Sequence, residues 1–480
     1  MCSFEAASIV HTYKAFNNSS TKESVLFTKP VVAEAVYFLP LGGTGEIGMN
    51  LNLYIHKQRM IMVDCGAMFQ DPDDVLKPRN DEMIIPDTRF VQEHRAVLDA
   101  IILTHAHEDH IGALLSVWPL FPCKIFASPF AAEVLKAKVA RARKPELQAV
   151  LSALVVIEPG KTYQIGVFDI RWVPMTHSTL ESHGLLIESA ECRVFHTGDW
   201  KLDAKPVLGP KLESSAQLRL ATTKVDAVVC DSTNALKEGR SVSEHLVYEG
   251  LRDTIRAQTG RVFVTCFASN VARLVSVAKA TKASGRYLAM VGRAFETMVA
   301  IARRLDYWPA ELKIYDARET LYLPKEEVVY LVTGSQGESR AALSRLSKGA
   351  FRGIEMEAGD SVIFSSMRIP GNELEIARLA TNLKAREITV IENSDLEADI
   401  HASGHPCIDE LVDLYTTLKP KIVVPTHGTT KHIAANASTA KRCGVRRALE
   451  GVNGDLFQLY PRTQITRSFA DTDRFVVSSP

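Results

Sequence analysis

The chain lacks several features that would restrict its function. No apolar run approaches the roughly 18 residues of a membrane-spanning helix, so no helical span is predicted. None of the eight cysteines forms a C-x-x-C pair, and we expect free thiols in a reducing compartment rather than disulfides or a thiolate metal site. Neither charge sign dominates, because 56 Lys and Arg balance 56 Asp and Glu. This balance argues against a bulk basic field for non-specific nucleic-acid binding.

The length and composition are those of a multidomain globular protein. At 480 residues the chain is too long for one simple core, which predicts two or three domains. Residues 1–32 are polar and rich in Ser, Thr and Asn, without the apolar region of a signal peptide. We therefore expect a loose N-terminal arm over these residues and a cytoplasmic location.

Residues 104–112 (THAHEDHIG) concentrate groups that bind metals. Three imidazoles and two carboxylates fall within six consecutive residues, after an apolar run at 98–103 that predicts a buried strand. Zinc and similar metals favour imidazole nitrogen, with carboxylate oxygen as an additional ligand. Five such groups would be a poor choice for a core turn, because buried polar side chains need partners. The stretch therefore predicts a metal site.

Other candidate ligands also follow predicted strands. His177, Asp199 and His427 each come directly after a predicted strand, as His105 does. Histidines and aspartates at several strand ends along one sheet edge form the arrangement that a metal centre requires. Asp64 also ends a predicted strand, where a lone aspartate is ordinarily a turn residue.

Residues 43–48 (GTGEIG) match the G-x-G-x-x-G pattern of dinucleotide-binding proteins. That fingerprint requires a helix after the last glycine. Here the next residues alternate with period two, as Leu51, Leu53 and Ile55 show, which predicts a strand. A glycine-rich turn is therefore preferred to a dinucleotide site.

Strand and helix patterns alternate between residues 216 and 380. Strands are predicted at 227–230, 262–267, 287–291, 328–332 and 362–364, and helices at 243–258, 270–283 and 297–307. This alternation favours a parallel sheet flanked by helices, as a separate domain inserted in the chain. Strand 387–391, loop 401–405 (HASGH) and helix 408–418 are predicted after it.

With these patterns, the chain resembles the metallo-β-lactamase superfamily, whose H-x-H-x-D-H signature is present at 105–110. Roughly 230 residues separate Asp199 from His427, far more than a loop needs. The inserted domain is similar to that of the β-CASP nucleases, and among them the chain resembles the ribonuclease J family. The matching blocks cover most of the chain: 41–48 (LGGTGEIG), 231–234 (DSTN), 333–338 (TGSQGE), 369–373 (IPGNE) and 401–405.

The resemblance implies an α/β fold with three parts. A metallo-β-lactamase αββα sandwich is expected over 33–215 and 381–480, with a β-CASP α/β domain inserted over 216–380. Many family members carry a further C-terminal domain used in oligomer assembly, whereas this chain stops soon after the second sandwich segment. We therefore expect that domain to be absent and the family's homodimer to be weakened.

The resemblance also implies two metal ions, both zinc, with manganese or magnesium as the alternative for one of them. The ligands are histidines and aspartates: His105, His107 and His177 for the first ion, Asp109, His110 and His427 for the second, and Asp199 bridging both. Asp64 corresponds to a carboxylate that hydrogen-bonds a ligand or bound water and fixes its orientation.

The implied activity is that of a metal-dependent ribonuclease, a hydrolase with 5′-to-3′ exonuclease and endonuclease action in RNA maturation and decay. Asp109 and Asp199 take part through the metals, and His401 is expected to protonate the departing ribose oxygen. Asp231 is expected to orient His401, although an Asx-turn or a helix N-cap also explains an aspartate there.

The loop at 401–405 fits a phosphate cradle. Small residues let backbone N–H groups approach oxygens, and hydroxyl and imidazole groups add donors. By resemblance, the RNA 5′ monophosphate binds the five loop residues His401, Ala402, Ser403, Gly404 and His405. A glycine-containing strand-to-helix turn is the alternative.

Two other functions remain compatible with the sequence. One is a hydrolase of the same fold acting on DNA or a small phosphodiester, and the other is a non-catalytic RNA-binding paralogue. The complete ligand set argues against the paralogue. Leu180, Met367 and Thr429 depart from the family pattern, and we expect them to affect loop shape or RNA contacts rather than metal ligands.

Overall fold

The computed structural model describes residues 32, 34–70, 75–76, 78–79, 81–212, 224–369 and 371–480. The arm predicted over 1–32 lies outside these residues except for Val32. Within the part of the chain that is described, no helix is both long enough and apolar enough to cross a membrane.

The first large sheet has eight strands and carries the histidine-rich loop. In spatial order its strands are Gln464–Thr466, Leu456–Tyr460, Val36–Gly42, Leu51–His56, Arg59–Val63, Leu98–Ile102, Lys124–Ala127 and Leu154–Val156. The strands from Arg59 onward pair in parallel, so their carboxyl ends lie at one edge. The segment at 104–110, whose last residues begin the helix Glu108–Ile111, starts at that edge.

The second large sheet has seven strands and carries the remaining candidate ligands. In spatial order its strands are Arg447–Ala448, Ile422–Thr426, Ala227–Asp231, Arg193–His196, His183–Glu188, Phe168–Pro174 and Thr162–Ile165. The first four of these pair in parallel. Asp199, Asp231 and His427 therefore come from neighbouring strands whose carboxyl ends share one edge.

The two sheets face each other across one apolar core. Phe38, Val63 and Ile102 of the first sheet belong to the same buried cluster as Trp172 and Val229 of the second. Helices cover the outer faces: Arg89–Glu93, Glu108–Ile111, Leu114–Val117, Pro129–Ala142 and Gln148–Ala153 lie in the first-sheet half, and Ile408–Leu418 and Thr430–Arg442 in the second. The expected αββα sandwich is confirmed.

The third sheet forms the core of the inserted domain. Its five strands are all parallel, in the spatial order Tyr287–Val291, Val328–Val332, Val262–Thr265, Ser361–Phe364 and Thr389–Ile391. The helices Glu244–Arg256, Val271–Ala283 and Arg293–Arg304 cover one face, and Ala342–Leu346 and Glu373–Lys384 cover the other. The expected inserted α/β domain is confirmed.

Two strands belong to a different sheet from the one that the sequence boundaries imply. Strand Ala227–Asp231 was expected in the inserted domain, but it pairs on both sides with strands of the sandwich. Strand Thr389–Ile391 lies in the third sheet, although 381–480 was assigned to the sandwich. We propose that the inserted domain begins after Asp231 and ends after Ile391.

The glycine-rich segment at 43–48 is a turn, as the sequence analysis preferred. Strand Leu51–His56 follows it where a dinucleotide fingerprint needs a helix. Thr44–Gly45 pairs with Gly428–Thr429, and the hydroxyls of Thr44 and Thr426 lie 2.7 Å apart. The turn therefore supports the chain on both sides of His427.

Buried carboxylates fasten the sandwich to the inserted domain. Asp203 accepts hydrogen bonds from the Ser243 hydroxyl (2.6 Å) and the Glu244 amide (3.0 Å), at the start of the first inserted helix. Glu410 is fully buried and accepts from the amides of Leu202 and Ser241. Because buried carboxylates are costly without partners, these bonds fix how the two domains are joined.

Candidate metal centre

The predicted ligands converge at the edge where the carboxyl ends of both sandwich sheets meet. Two groups of four residues bring one ligand atom each to within 4.8 Å of one another, and Asp199 belongs to both. The first group is His105, His107, His177 and Asp199, and the second is Asp109, His110, Asp199 and His427. These are the seven residues that the resemblance implied.

In the first group, three imidazole rings face one point. Nδ1 of His107 lies 3.2 Å from Nε2 of His105 and 3.0 Å from Nε2 of His177. Burial holds the pKa of His105 and of His177 well below the ordinary value and lowers the pKa of His107 to about 4. The rings are therefore neutral at pH 7, which is the form that binds metals.

In the second group, histidines alternate with carboxylates. Asp199 Oδ2 lies 3.2 Å from His110 Nε2, and Asp199 Oδ1 lies 2.9 Å from His427 Nδ1. Burial opposes charge on His427, but the carboxylates of Asp199 and Asp109 outweigh it and raise its pKa to about 10. Without a metal, the two carboxylates therefore need protonated imidazoles beside them.

Both groups fit divalent cations. Each combines imidazole nitrogen with carboxylate oxygen, the donor set that zinc prefers. Nε2 of His427 is buried without a hydrogen bond among the described residues. A polar cavity of about 10 Å³, lined by residues that include Asp64, His110, Asp199 and His427, has room for one water-sized occupant.

Asp64 fixes the orientation of the His110 ring through a hydrogen bond to its Nδ1. Nδ1 of His110 donates to Asp64 Oδ2 (2.7 Å), while the Thr104 amide and hydroxyl donate to the same carboxylate at 2.8 Å each. Asp64 is fully buried and has a φ of 64°, a left-handed conformation that non-glycine residues rarely adopt. With its Nδ1 proton held there, His110 presents the Nε2 lone pair to the second group.

Replacing Asp64 with asparagine is expected to weaken metal binding about ten- to a hundredfold, because the side chain that fixes the His110 ring loses its charge. Metal competition with a chromophoric chelator measures this affinity. Asp87→Asn is the matched control, since Asp87 is equally buried but pairs with Arg89. Equal metal affinity in the two variants would contradict the role of Asp64.

Asp231 contacts His405 rather than His401, so the expected orientation of His401 by Asp231 is wrong. Nδ1 of His405 donates to Asp231 Oδ2 (2.8 Å), and the Thr233 amide and hydroxyl donate to Oδ1 (2.9 and 2.7 Å). None of the hydrogen bonds found for Asp231 in the described chain reaches His401. The Asx-turn expected as an alternative is also present, because Asp231 accepts from the amide two residues later.

His405 lies against the metal centre. Its Nδ1 is 3.8 Å from Asp199 Oδ2, and Asp199, Asp231, His405 and His427 form a third close group. Burial disfavours a charged ring, but the Asp231 and Asp199 carboxylates outweigh it and raise the pKa of His405. These carboxylates therefore favour a charged His405 ring beside the candidate metal positions.

The 401–405 loop also orients a candidate ligand. Nδ1 of His177 donates to the carbonyl oxygen of Gly404 (2.6 Å), which leaves its Nε2 lone pair for the first group. A Cβ on residue 404 would lie 2.5 Å from that Nδ1, so only glycine fits. Asn234 donates to the Ser403 hydroxyl (2.8 Å) and to the His405 carbonyl (3.1 Å), which joins two of the family blocks.

A cavity of about 250 Å³ opens beside this loop, at the carboxyl ends of the third sheet. Its lining is Ser335, Phe364, Ser366, Met367, Arg368, Ile376, Glu392, Asn393, Ser394 and His401. Gln336 shapes it, because its side-chain amide donates to the Met367 carbonyl and accepts from the Ile369 amide, at 2.9 Å each. The departure at Met367 therefore lies in the cavity wall.

The other two departures lie outside the ligand groups. Leu180 is buried, and the Thr429 hydroxyl lies 2.7 Å from Nδ1 of His432 at the start of a helix.

Sequence reasoning missed two residues near the centre: Asn50, whose amide nitrogen is 3.1 Å from His110 Nε2, and the buried Arg273 beside His401. Only the arginine left a signal, as a charge among the apolar residues of the first turns of its helix.

Three family models match the chain in order. A beta-lactamase superfamily domain matches residues 59–233, a ribonuclease J beta-CASP domain matches 259–383, and a Zn-dependent metallo-hydrolase RNA specificity domain matches 397–447. A protein of unknown function from Enterococcus faecalis V583 has a similar fold, with a TM-score of 0.60 at 15% identity over 88% of this chain and all of that one.

Two similar relatives are both named ribonuclease J. Ribonuclease J of Sinorhizobium meliloti is 40% identical over 89% of this chain and 75% of its own length. Ribonuclease J of Mycolicibacterium smegmatis is 37% identical over 87% of this chain and 73% of its own length. With these relatives and the three matched domains, the chain belongs to the ribonuclease J family and is a metal-dependent ribonuclease that acts on RNA.

Proposed function

We propose that two zinc ions bind the centre, one in each group, with Asp199 bridging them. The observation that carries this proposal is the Asp199 carboxylate, which faces histidines of both groups. When bound, the two cations supply hydroxide at neutral pH and neutralise charge that develops on the phosphate. Manganese or magnesium in one position is the alternative.

His405 is the proton donor for the departing ribose oxygen in this proposal. The Asp231 and Asp199 carboxylates raise its pKa, which favours the charged ring, and Asp231 accepts from Nδ1–H, so Nε2–H is the proton left to donate. A general acid must carry its proton at working pH and stand next to the reacting bond. His401 does not meet the first condition, because burial and Arg273 lower its pKa to about 3.

The 401–405 loop and the neighbouring cavity hold the 5′ monophosphate of RNA. The cavity offers the hydroxyls of Ser335 and Ser366, the imidazole of His401 and the guanidinium of Arg368, which pairs with the Glu392 carboxylate of the same lining. Such donors suit a phosphate dianion. A 5′ end held here places a nearby phosphodiester at the metal centre and supports 5′-to-3′ exonuclease action, whereas RNA that leaves the cavity empty supports endonuclease cleavage.

Cleavage assays on matched RNAs test this proposal. Linear RNA with a 5′ monophosphate or a 5′ triphosphate, circular RNA and DNA of the same sequence are incubated with the zinc-loaded protein, with and without chelator. We expect metal-dependent cleavage of RNA, with single nucleotides released fastest from the monophosphate. Equal rates on both 5′ ends would contradict the phosphate cradle, and faster cleavage of DNA would contradict the RNA preference.

The family's homodimer stays a prediction, and light scattering on the same sample measures it.

A further inference from the structure

Arg273 is a fully buried cation whose guanidinium makes several hydrogen bonds. Its Nε and Nη2 donate to the two Glu244 carboxylate oxygens at 3.1 and 2.7 Å. Its Nη1 donates to the backbone oxygen (2.8 Å) and the hydroxyl (2.9 Å) of Ser365. Nη2 also lies 3.5 Å from the Ala402 carbonyl, inside the phosphate loop. This arginine therefore ties the first inserted helices to the loop.

The same guanidinium faces the ring of His401. Nη1 lies 3.3 Å from His401 Nδ1, and a guanidinium nitrogen can only donate. Nδ1 must then be the acceptor, so a neutral His401 carries its proton on Nε2. Burial and the Arg273 charge lower the pKa of His401 to about 3, so the ring is neutral at pH 7.

In this tautomer, the Nε2–H of His401 has no hydrogen-bond acceptor among the described residues. This atom is buried without a hydrogen-bond partner among the described residues, while His401 lines the 250 Å³ cavity beside Arg368 and Ser335. A buried donor without a partner costs free energy, which a bound acceptor recovers. Asn393 holds the loop from the other side by accepting from the Ile400 and His401 amides at 2.8 and 3.0 Å.

We propose that Arg273 is a positioning residue that fixes His401 as the neutral Nε2–H tautomer, so that this ring donates a hydrogen bond to the 5′ phosphate. This inference rests on the proposed phosphate cradle. It adds the reason why His401 of that cradle is a hydrogen-bond donor. Arg273 does not itself touch the RNA. It acts through His401, with Glu244 compensating its charge, and Asp203 joins that glutamate to the sandwich.

Nitrogen NMR on the native protein reads the tautomer directly. The zinc-loaded protein is labelled with ¹⁵N-histidine, and His401→Gln identifies the His401 signals among those of the 14 histidines. We expect a protonated Nε2 and an unprotonated Nδ1, with the Nε2 signal shifting on addition of inorganic phosphate. The competing tautomer has Nδ1–H directed at the nearby Ser365 carbonyl. Observing that tautomer would overturn the proposal.

Kinetics with Arg273→Lys provide the second readout. Lysine keeps the charge but cannot bond Glu244, Ser365 and His401 together. We expect the ratio of kcat/KM for 5′-monophosphate RNA to that for 5′-hydroxyl RNA to fall about tenfold or more, mostly through KM. Arg261→Lys is the matched control, because Arg261 forms a buried ion pair with Asp360 and should keep the native ratio.

Failure of the proposed phosphate cradle can be distinguished from failure of the proposed role of Arg273. If the native enzyme itself does not prefer 5′-monophosphate RNA, the phosphate cradle is wrong, whatever the tautomer. If the native enzyme shows the preference but Arg273→Lys retains it, Arg273 does not position His401. A ratio that falls equally in both arginine variants would indicate a general loss of domain packing and would also overturn the proposal.

Discussion

Asp199→Asn is expected to lower RNA cleavage by roughly a thousandfold or more, which corresponds to about 4 kcal/mol of transition-state stabilisation. Asp199 contributes one oxygen toward His110 and the other toward His427, and it also faces the first group. An asparagine amide lacks the negative charge that two adjacent cations require of a shared ligand. We therefore expect loss of at least one metal ion together with loss of activity.

Elemental analysis and cleavage rates on the same preparations check this expectation. Asp203→Asn is the matched control, because Asp203 is a buried aspartate four residues later that bonds Ser243 and Glu244 instead. That variant should lower the melting temperature while keeping the native metal content. Full metal content and native activity in Asp199→Asn would contradict a bridging role.

Local patterns were sufficient to predict most of the elements. Strands Tyr287–Val291 and Val328–Val332 and helix Ile408–Leu418 have the bounds that the sequence indicates. Buried parallel strands are continuous apolar runs, and they are easy to locate when polar turns flank them. The helix that begins at Pro129 ends at Ala142, because Arg143 adopts a left-handed conformation before Pro145.

Sheet membership could not be predicted in the same way. The run at 227–231 is fully buried and its first four residues are apolar, a pattern that would look the same in either sheet. Its partners, Arg193–His196 and Ile422–Thr426, lie far away in sequence, and the pairing is decided by tertiary contacts. A domain boundary drawn from the alternation of strand and helix patterns therefore places a strand of the sandwich in the inserted domain.

The candidate site shows the same division between local and long-range information. Metal-binding residue types at strand ends indicated the ligand groups, because side-chain chemistry and spacing are visible in sequence. The HASGH loop offers two histidines, and nothing local shows which of them faces Asp231, some 174 residues earlier than His405. Arg273 was missed for a similar reason, since its partners Glu244, Ser365 and His401 come from three separate segments.

His405→Ala is expected to lower kcat for RNA cleavage by about a hundred- to ten-thousandfold, the usual contribution of a positioned general acid. The Asp231 and Asp199 carboxylates favour a charged His405 ring, and a ribose oxygen leaves poorly without a proton. Asp231→Asn should lower kcat as well, because the amide no longer favours the charged ring. A substrate with a thiolate leaving group in place of the ribose oxygen should restore most of the lost rate, since it needs no proton.

The metal content of His405→Ala separates this role from metal binding. His405 belongs to a group of four residues close enough to hold a cation, so a ligand and an acid are both geometrically possible. An acid predicts native zinc content and rescue by the thiolate substrate, whereas a ligand predicts zinc loss without rescue. His432→Ala is the control, because His432 lies on the adjoining helix and bonds Thr429. Zinc loss in His405→Ala, with native content in the control, would identify His405 as a ligand and leave the proton donor to be sought among the remaining groups near Asp199.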